Sequence, residues 1–400
     1  MTGRTIVLGL DGADWNFLEP WLDAGELPEL QRLMETGVSG PLETVVPPST
    51  VPAWPCMFTG LNPGHLGIAH FMMPAHNDPH SIRTVDYDDF NAPALWDMVA
   101  DNGGDSVVAN IPGTYPPPTT PQVTVSGMMT PSKSDSYTHP DSYCENIKGL
   151  ETPYHIDRTL WGDNEEFLED IYEMTDSRFE LFDELLGHEL DLFFGVISAT
   201  DRIQHKLWDT HELCEYWSYL DDKIGEFVAD LDESDTLLIV SDHGFGECRG
   251  SLYVNYWLKE QGWFQATGGR GSGSGGGNAV SNPILKVGLS RERIREMLYV
   301  LEIKDYIERL VPTRLQKIIP TKQEGETFDE ALMKGHIDWD TTDCYALSPS
   351  GVYLEPDPGT ERYRERREAV IEKFRHIDVP TEGVETHSWK PENLYNIEDV

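Results

Sequence analysis

Three short apolar segments each run into an acidic residue, and this pattern restricts the fold more than any other feature of the 400-residue chain. Each segment is rich in β-branched, aromatic or leucine residues and has about the length of a buried strand. The segments and their acids are Thr5–Leu10 with Asp11, Leu192–Ser198 with Asp201, and Leu237–Ser241 with Asp242. The sequence therefore predicts strands that lead into carboxylates.

Helical segments lie between these strands. Pro28 suits the first turn of a helix over Leu27–Thr36, and Gly37 suits the position after its end. Apolar periodicity predicts a helix over Glu165–Leu186, and Ser106–Asn110 reads as a further strand. The alternation favours an α/β fold with a largely parallel sheet covered on both faces. Ligands bind such sheets beyond the carboxyl ends of the strands, so we expect the three acids on one rim.

The net charge of the chain argues against some classes of function. Aspartate and glutamate number 70 against 30 lysine and arginine, which gives a formal net charge of −40. A non-specific nucleic-acid binder needs the opposite sign to contact phosphates, so we expect no nucleic-acid partner. Self-repulsion destabilises so charged a protein at low ionic strength, and salt screens it. We interpret the charge as a halophilic adaptation to a high-salt cytoplasm.

The cysteines and the N-terminus indicate a reducing compartment. The cysteines are widely spaced, odd in number and form no Cys-x-x-Cys pair, so they predict neither a disulfide framework nor a zinc ribbon. The N-terminal apolar run is too short for a signal-peptide core, and no run reaches the length of a membrane span. We therefore expect a cytoplasmic protein without a transmembrane segment. The cysteines are Cys56, Cys144, Cys214, Cys248 and Cys344.

We predict four regions along the chain. They are a catalytic α/β core over 1–266, a Gly-rich flexible linker over 267–281, a helical insert or cap over 282–335, and a return to the core over 336–400. Within Pro283–Ile319, eight basic residues outnumber five acidic ones. This stretch is either a solvated helical face or a mobile cap that meets an anionic substrate or a membrane surface.

A loop rich in Pro, Ser and Thr leads into a predicted helix at Thr50, with Pro52 in the first turn. A helix N-terminus presents free N–H groups and a positive dipole end, which suits a phosphate group. A hydroxyl placed there can attack phosphorus if a metal ion lowers its pKa. Taken alone, the segment favours the simpler interpretation that Ser49 or Thr50 caps the helix.

Two further pairs have the residue types of metal ligands. Asp201 and His205 are four residues apart, so on a helix they share a face and can bind one Zn²⁺-like ion. Taken alone, this common spacing favours a surface ion pair or a capping aspartate beside an unrelated histidine. Asp242 and His243 follow a strand and precede Gly244, where a turn can bring both side chains to one centre.

These segments are more informative together than singly. With the carboxylate after the first strand, they supply three carboxylates, two imidazoles and one hydroxyl on one predicted rim. This set matches the needs of in-line phosphoryl transfer between two metal ions.

The sequence resembles the type I phosphodiesterase/nucleotide pyrophosphatase family of the alkaline phosphatase superfamily. The matching segments are GLDGAD, PPSTVPAWPCMFTGLNPGHLGI, NIPGTYPPP, VSGMMTPS, TDRIQH and SDHGFGE. Later family segments are matched by LYVNYWLKEQGWF, HIDWDTTDCYAL and WKPENLYNIEDV. The resemblance implies an alkaline phosphatase-like three-layer α/β/α sandwich with an inserted helical cap.

The resemblance also implies a role for each candidate residue. For one metal ion, the implied ligands are Asp11, Thr50, Asp242 and His243. For the second ion, they are Asp201 and His205. Thr50 would be the nucleophile, and the backbone N–H of Val51 would bind a phosphoryl oxygen. The implied cofactors are two divalent ions, zinc or alternatively manganese, and the implied substrate is a small phosphate ester or a nucleotide-type molecule.

One family segment is missing from the sequence. The family supplies a further metal-binding histidine in a Gly-x-His segment near its C-terminus, and no such segment occurs before Val400. We expect either a chain truncated at that end or a substitute among His336, His376 and His387. Without this ligand, the chain would be a metal-binding protein with impaired catalysis.

Other substrates stay open within the superfamily. A phosphomonoesterase or a phosphonate hydrolase would use the same metal site. A sulfatase is disfavoured, because it needs a Cys or Ser that becomes formylglycine and Thr50 cannot supply one. An acidic mimic of DNA is also disfavoured, since the acids at the strand ends would then have no purpose.

The net charge predicts that salt stabilises the folded chain. Raising KCl from about 0.1 M to about 2 M screens the repulsion among acidic side chains, so the thermal unfolding midpoint should rise. Circular dichroism measures the midpoint, and sucrose serves as a control that stabilises proteins by exclusion without screening charge. An unchanged midpoint across these KCl concentrations would contradict the halophilic interpretation.

Overall fold

The structure is a computed structural model, and it describes residues 3–75, 78–131, 136–157, 163–250, 252–265, 337–348, 351–377 and 386–396. The predicted linker, 267–281, and the predicted helical insert, 282–335, both lie outside these residues. Within the described residues, no helix combines the length and the apolar character that a membrane span requires.

Ten strands occur in the described part of the chain. They are β1 (Thr5–Leu10), β2 (Met72–Ala75), β3 (Asp78–Thr84), β4 (Ser106–Ala109), β5 (Val123–Val125), β6 (Thr138–His139), β7 (Leu192–Ile197), β8 (Thr236–Val240), β9 (Cys344–Ser348) and β10 (Gly351–Leu354). Six of them form the main sheet in the order β6-β5-β4-β7-β1-β8. All neighbours in it are parallel except β5 and β6. The other four form two antiparallel pairs, β2 with β3 and β9 with β10.

The described residues also form twelve α-helices. They are α1 (Trp15–Ala24), α2 (Pro28–Thr36), α3 (Thr50–Thr59), α4 (Pro63–Leu66), α5 (Leu95–Asp101), α6 (Cys144–Lys148), α7 (Asn164–Leu186), α8 (Ala199–Leu207), α9 (His211–Ala229), α10 (Val254–Glu260), α11 (Glu361–Phe374) and α12 (Pro391–Tyr395).

Each face of the main sheet buries its own apolar cluster, because alternate residues of a strand point to opposite sides. Ile6 and Leu8 of β1 face a cluster that includes residues of α1, α7, α8 and α9. Val7 faces the other cluster, which includes residues of α3 and α5. Helices therefore cover both faces of a largely parallel sheet. This arrangement confirms the predicted α/β/α fold class.

The predicted core elements are confirmed, with small shifts at their ends. The strand over Thr5–Leu10 has the predicted bounds, and the helix predicted from Leu27 begins at Pro28 because Leu27 is its N-cap. Asn110 leaves its strand with a left-handed φ of 62°. Ser198 leaves its strand because it is the N-cap of α8.

Strands β7, β1 and β8 lie side by side and end together. Leu10 pairs with Ile197, and Gly9 pairs with both Val196 and Val240. The residues that follow these three strands therefore share one edge of the sheet, as the sequence predicts. The candidate active site lies at this edge.

The last described helix packs against the loop that leads into α3. The hydroxyl of Tyr395 donates a hydrogen bond to the carbonyl of Val46 at 2.5 Å, and Asn62 donates to the carbonyl of Tyr395 at 2.9 Å. A Cβ atom on Gly64 would lie 2.5 Å from the tyrosine ring, so only glycine fits there. These contacts hold both ends of α3 in place.

Asp221 of α9 stabilises the start of α2. Its carboxylate accepts hydrogen bonds from the backbone N–H groups of Glu29 and Leu30, each at 2.8 Å, whereas the N-cap Leu27 provides none from its side chain. Asp221→Ala would leave both N–H groups unpaired and should lower the free energy of unfolding by roughly 1–2 kcal/mol. Urea denaturation measures this change.

The control is Asp222→Ala, which removes the same charge at the exposed neighbouring position. Its free energy of unfolding should change by less than about 0.5 kcal/mol. Equal losses in the two variants would show that the charge, and not the capping hydrogen bonds, determines the effect.

Candidate active site

The side chain of Thr50 faces His243. Its Oγ1 lies 3.1 Å from Nε2 of the imidazole. The same nitrogen lies 3.4 Å from Oδ1 of Asp11 and 3.5 Å from Oδ2 of Asp242. The structure therefore brings together, from three separate segments, the hydroxyl, one imidazole and two carboxylates that the sequence predicts.

Asp201 joins this group from α8. One ligand atom from each of Asp11, Asp201 and His243 can be chosen so that all three lie within 4.8 Å of one another. Nε2 of His205 lies 3.4 Å from Oδ1 of Asp201, and the His205 side chain is 51% exposed. Asp201, which the resemblance assigns to the second ion, thus lies beside two ligands assigned to the first ion, and His205 lies at the solvent edge.

In Asp11 and Asp242, one carboxylate oxygen is held by the protein and the other is left free. Nε1 of Trp54 donates a hydrogen bond to Oδ2 of Asp11 at 3.1 Å. The backbone N–H of Gly12 donates to Oδ1 of Asp242 at 3.2 Å. Oδ1 of Asp11 and Oδ2 of Asp242 are buried and accept no hydrogen bond from any described residue. These are the oxygens that face His243.

Asp201 follows the same pattern. Its Oδ2 lies 3.7 Å from Nη1 of Arg202, while its Oδ1 is buried without a hydrogen bond of good geometry from the described residues. Arg202 is itself held by Asp157, with Nε to Oδ1 at 3.0 Å and Nη2 to Oδ2 at 2.7 Å. The guanidinium group therefore serves two carboxylates.

The turn after β1 requires glycine at position 12. Gly12 has a left-handed φ of 71°, and a Cβ atom there would lie 2.9 Å from Nε2 of Gln204 and 3.4 Å from Oδ1 of Asp201. This turn points the Gly12 N–H group at Asp242. The close approach of backbone and carboxylates explains the Asp-Gly sequence at the end of the strand.

Burial dominates the electrostatics of these acids. It raises the pKa of Asp11 well above its usual range, and the neighbouring carboxylates of Asp242 and Asp201 add to the effect. Burial likewise raises the pKa of Asp242 to about 8. Burial also opposes ionisation of Asp201, but its contacts with His205 and Arg202 outweigh this and lower its pKa. Protein groups alone do not compensate the charges of Asp11 and Asp242.

These donors fit a divalent metal centre. Buried carboxylates without a partner are costly unless a cation pairs with them. Carboxylate oxygens and imidazole nitrogens are ligands that zinc and related ions accept. The free oxygens of Asp11, Asp201 and Asp242, together with Nε2 of His243, are the atoms available to such an ion.

The structure does not favour the simple capping interpretation of the Thr50 segment. Ser49 is the N-cap of α3, but its side chain makes no capping hydrogen bond. The Thr50 hydroxyl is directed to His243 instead of a backbone N–H group of the helix. Val51, predicted to bind substrate through its N–H group, is fully buried next to Thr50 and departs from helical dihedral angles.

Of the three proposed substitute histidines, the two that the structure describes do not join the centre. His376 pairs with Glu372 on the exposed face of α11, and His387 stacks on Trp389. His336 lies outside the described residues. In the described part of the chain, neither histidine belongs to a group of metal-ligand type, and the group that is found consists of Asp11, Asp201 and His243.

Sequence reasoning gave no role to Trp54 or Arg202, although both contact the site carboxylates. One signal was present for Trp54, which lies four residues after Thr50 on the predicted helix. Another was Gly9, because a glycine inside a strand often marks a close approach of another group. The partner of Arg202 could not be predicted, since Asp157 is 45 residues away along the chain.

A sequence profile shows to which protein family the chain belongs. The profile described as type I phosphodiesterase / nucleotide pyrophosphatase matches residues 5–379. The chain belongs to this family. Membership confirms the predicted family. The match extends across the region of the predicted insert.

Several solved structures are similar to this type I phosphodiesterase family member. Phosphonoacetate hydrolase from Sinorhizobium meliloti 1021 in complex with phosphonoformate is 18% identical, with 65% of this chain and 62% of that chain covered and a TM-score of 0.49. Murine ectonucleotide pyrophosphatase/phosphodiesterase 5 in complex with AMP is 17% identical, with 66% and 63% covered and a TM-score of 0.43. The match thus spans less than two thirds of these proteins. No curated protein sequence matches significantly.

The raised pKa of Asp242 predicts the pH dependence of the metal-free chain. The folded state holds this proton up to about pH 8, whereas the unfolded chain releases it near the ordinary value of 3.8. The protonated carboxyl group therefore stabilises the fold at low pH, and this contribution is lost as pH rises from about 4 through about 8. Urea denaturation in the presence of EDTA measures it.

The matched variant is Asp242→Asn, whose side chain does not titrate. The difference in unfolding free energy between the unmodified chain and this variant should fall as pH rises across that window. A difference that stays constant with pH would show that Asp242 titrates in its ordinary range.

Proposed function

We propose that the chain is a metal-dependent phosphodiesterase of the nucleotide pyrophosphatase type, with Thr50 as its nucleophile. The proposal rests on one observation: Oγ1 of Thr50 lies 3.1 Å from Nε2 of His243, beside buried carboxylates that each have a free oxygen. Family membership supports the reaction class. A hydroxyl, metal-type ligands and the start of a helix at one strand edge suit phosphoryl transfer.

The metal ligands are divided between two ions in this proposal. Asp11, Asp242, His243 and the Thr50 oxygen would hold one divalent ion, and Asp201 and His205 would hold the other. Zinc fits this donor set, and manganese is the alternative. When bound, such ions lower the pKa of a coordinated hydroxyl and neutralise the charge that develops on phosphoryl oxygens.

The need for cations follows from the charges of the site. When ionised, Asp11, Asp201 and Asp242 would together repel a phosphate ester, and Arg202 is already paired with Asp157. The whole chain also carries a net charge of −40. Bound cations would compensate the ionised carboxylates and allow an anionic substrate to approach this edge.

The chain's own residues then account for a two-step reaction. The Thr50 oxygen forms a bond to phosphorus while the bond from phosphorus to the leaving oxygen breaks, and the hydroxyl proton passes through solvent to the leaving group. Water then attacks the phosphothreonine, releases a phosphomonoester and restores the Thr50 hydroxyl. The backbone N–H of Val51 orients a phosphoryl oxygen during both steps.

The substrate class is a small phosphate diester or a nucleotide-type molecule. Phosphonates and phosphomonoesters present the same phosphoryl centre, so the same residues could act on them. Comparison of the three substrate classes on one preparation distinguishes these alternatives. Metal binding without turnover of any of them would instead indicate the catalytically impaired protein.

Thr50→Ala tests the nucleophile. With added Zn²⁺ or Mn²⁺, the variant should hydrolyse bis-p-nitrophenyl phosphate about 10³-fold more slowly or worse, because no oxygen remains to attack phosphorus. Thr50→Ser retains a hydroxyl and should retain measurable turnover. The readout is kcat/KM from p-nitrophenolate release.

Thr59→Ala is the matched control. Thr59 is a buried threonine at the other end of α3, and its hydroxyl donates to the carbonyl of Pro55 at 2.7 Å. Its loss should change kcat/KM by only a few fold, as a general effect of altering the helix. Equal activity of Thr50→Ala and the unmodified chain would remove Thr50 from the mechanism.

A further inference from the structure

Trp54 connects the helix that carries the nucleophile to the strand that carries a metal ligand. We propose that Trp54 is a positioning residue for the metal centre: its indole N–H fixes the Asp11 carboxylate so that the free oxygen faces His243 and Thr50. This role rests on the proposed function, because it presumes that Asp11 binds a metal ion.

The hydrogen bond selects one of the two Asp11 oxygens. Nε1 of Trp54 lies 3.1 Å from Oδ2, and Oδ1 lies 3.4 Å from Nε2 of His243. Both side chains of the pair are buried, so no solvent competes for the bond. Indole nitrogen donates only and cannot itself bind a metal ion. It therefore orients the carboxylate without competing for the cation.

The indole ring is held in place by two strand residues, Gly9 and Phe194. A Cβ atom on Gly9 would lie 2.3 Å from Cη2 of Trp54 and 2.9 Å from Cγ2 of Val196, so the ring needs the space that glycine leaves. Phe194 meets the indole edge to face, with ring centroids 6.1 Å apart and planes at 68°. With the ring packed this tightly, the direction of its N–H group is set by the sheet.

The same side chain sets the distance between the nucleophile and the ligand. Trp54 follows Thr50 by four residues on α3, and Gly9 precedes Asp11 by two residues on β1. A shift of α3 along the sheet would break the hydrogen bond between Trp54 and Asp11 and would also move Thr50 away from His243. The groups that orient metal ligands from behind typically change metal affinity by about 10–100-fold when they are removed.

The alternative interpretation is that Trp54 is only a core residue whose N–H needs a partner. The chain contains a suitable comparison in Trp96. This residue is also fully buried in the same apolar cluster, and its Nε1 donates to the hydroxyl of Tyr87 at 3.0 Å, away from the metal ligands. Trp→Phe at either position removes one indole hydrogen bond and part of one ring.

The experiment compares Trp54→Phe with Trp96→Phe on the full chain. The dissociation constant for Zn²⁺ is measured by competition with a chromophoric chelator, and the metal-free unfolding midpoint is measured in EDTA. Both variants should lose similar thermal stability. Trp54→Phe should bind Zn²⁺ about 10–100-fold more weakly, and Trp96→Phe should remain within about twofold of the unmodified chain.

A second measurement applies if Trp54→Phe does not fold. Zn²⁺ is titrated into the unmodified chain while the assigned indole N–H resonances are followed by ¹H–¹⁵N NMR. The Trp54 resonance should shift and its hydrogen exchange should slow, while the Trp96 resonance stays unchanged. An unresponsive Trp54 resonance in a chain that binds Zn²⁺ would overturn the positioning role.

The outcomes separate this inference from the proposed function. Equal Zn²⁺ affinity in the two variants, with an unmodified chain that binds the ion and hydrolyses diesters, would overturn the role of Trp54 alone. A selective loss of affinity in Trp54→Phe, with no hydrolysis by any variant or by the unmodified chain, would support the role of Trp54 and overturn the phosphodiesterase. An unmodified chain that binds neither Zn²⁺ nor Mn²⁺ would overturn both.

Discussion

The electrostatic repulsion among three carboxyl groups at the ends of neighbouring strands is the constraint on which the site depends. Asp11, Asp201 and Asp242 reach one edge because β7, β1 and β8 are parallel and end in register. Burial raises the pKa of two of these acids, so they cannot all ionise there without compensation. In the proposed function, a bound cation would resolve this conflict and would also assist phosphoryl transfer.

The surrounding structure orients these acids while leaving them incompletely paired. A backbone N–H, an indole N–H and a guanidinium group each face one carboxylate oxygen. The second oxygen of each acid stays free. If the protein instead satisfied both oxygens, a metal ion would have to displace those hydrogen bonds in order to bind. A carboxylate with one hydrogen-bonded oxygen therefore has a defined orientation and still offers its other oxygen as a metal ligand.

Much of the fold and part of the site could be predicted from the sequence, because both depend on local patterns. The apolar run before Asp11 predicts a strand, and the parallel sheet then places Asp11, Asp201 and Asp242 on one rim. The contacts of Arg202 could not be predicted in this way. Its partner Asp157 is distant in sequence, and nothing local indicates which carboxylate a guanidinium will meet.

The interpretation of Thr50 shows why single motifs mislead. Its local sequence favours helix capping, and only the approach of His243 from another strand gives the hydroxyl a different partner. The reverse holds for His376 and His387. Their residue type suits a metal ligand, but they pair with Glu372 and Trp389 instead. Residue type suggests a role, and tertiary contacts decide it.

The most direct measurement of the central claim is an anomalous diffraction map, recorded at the zinc edge, from crystals soaked with Zn²⁺ and vanadate. The account predicts a peak at about 2.0–2.2 Å from the free oxygens of Asp11 and Asp242 and from Nε2 of His243. It also predicts vanadate beside the Thr50 oxygen. An absence of zinc from these three ligands, or a Thr50 side chain that has turned away from the ion and the vanadate, would contradict it.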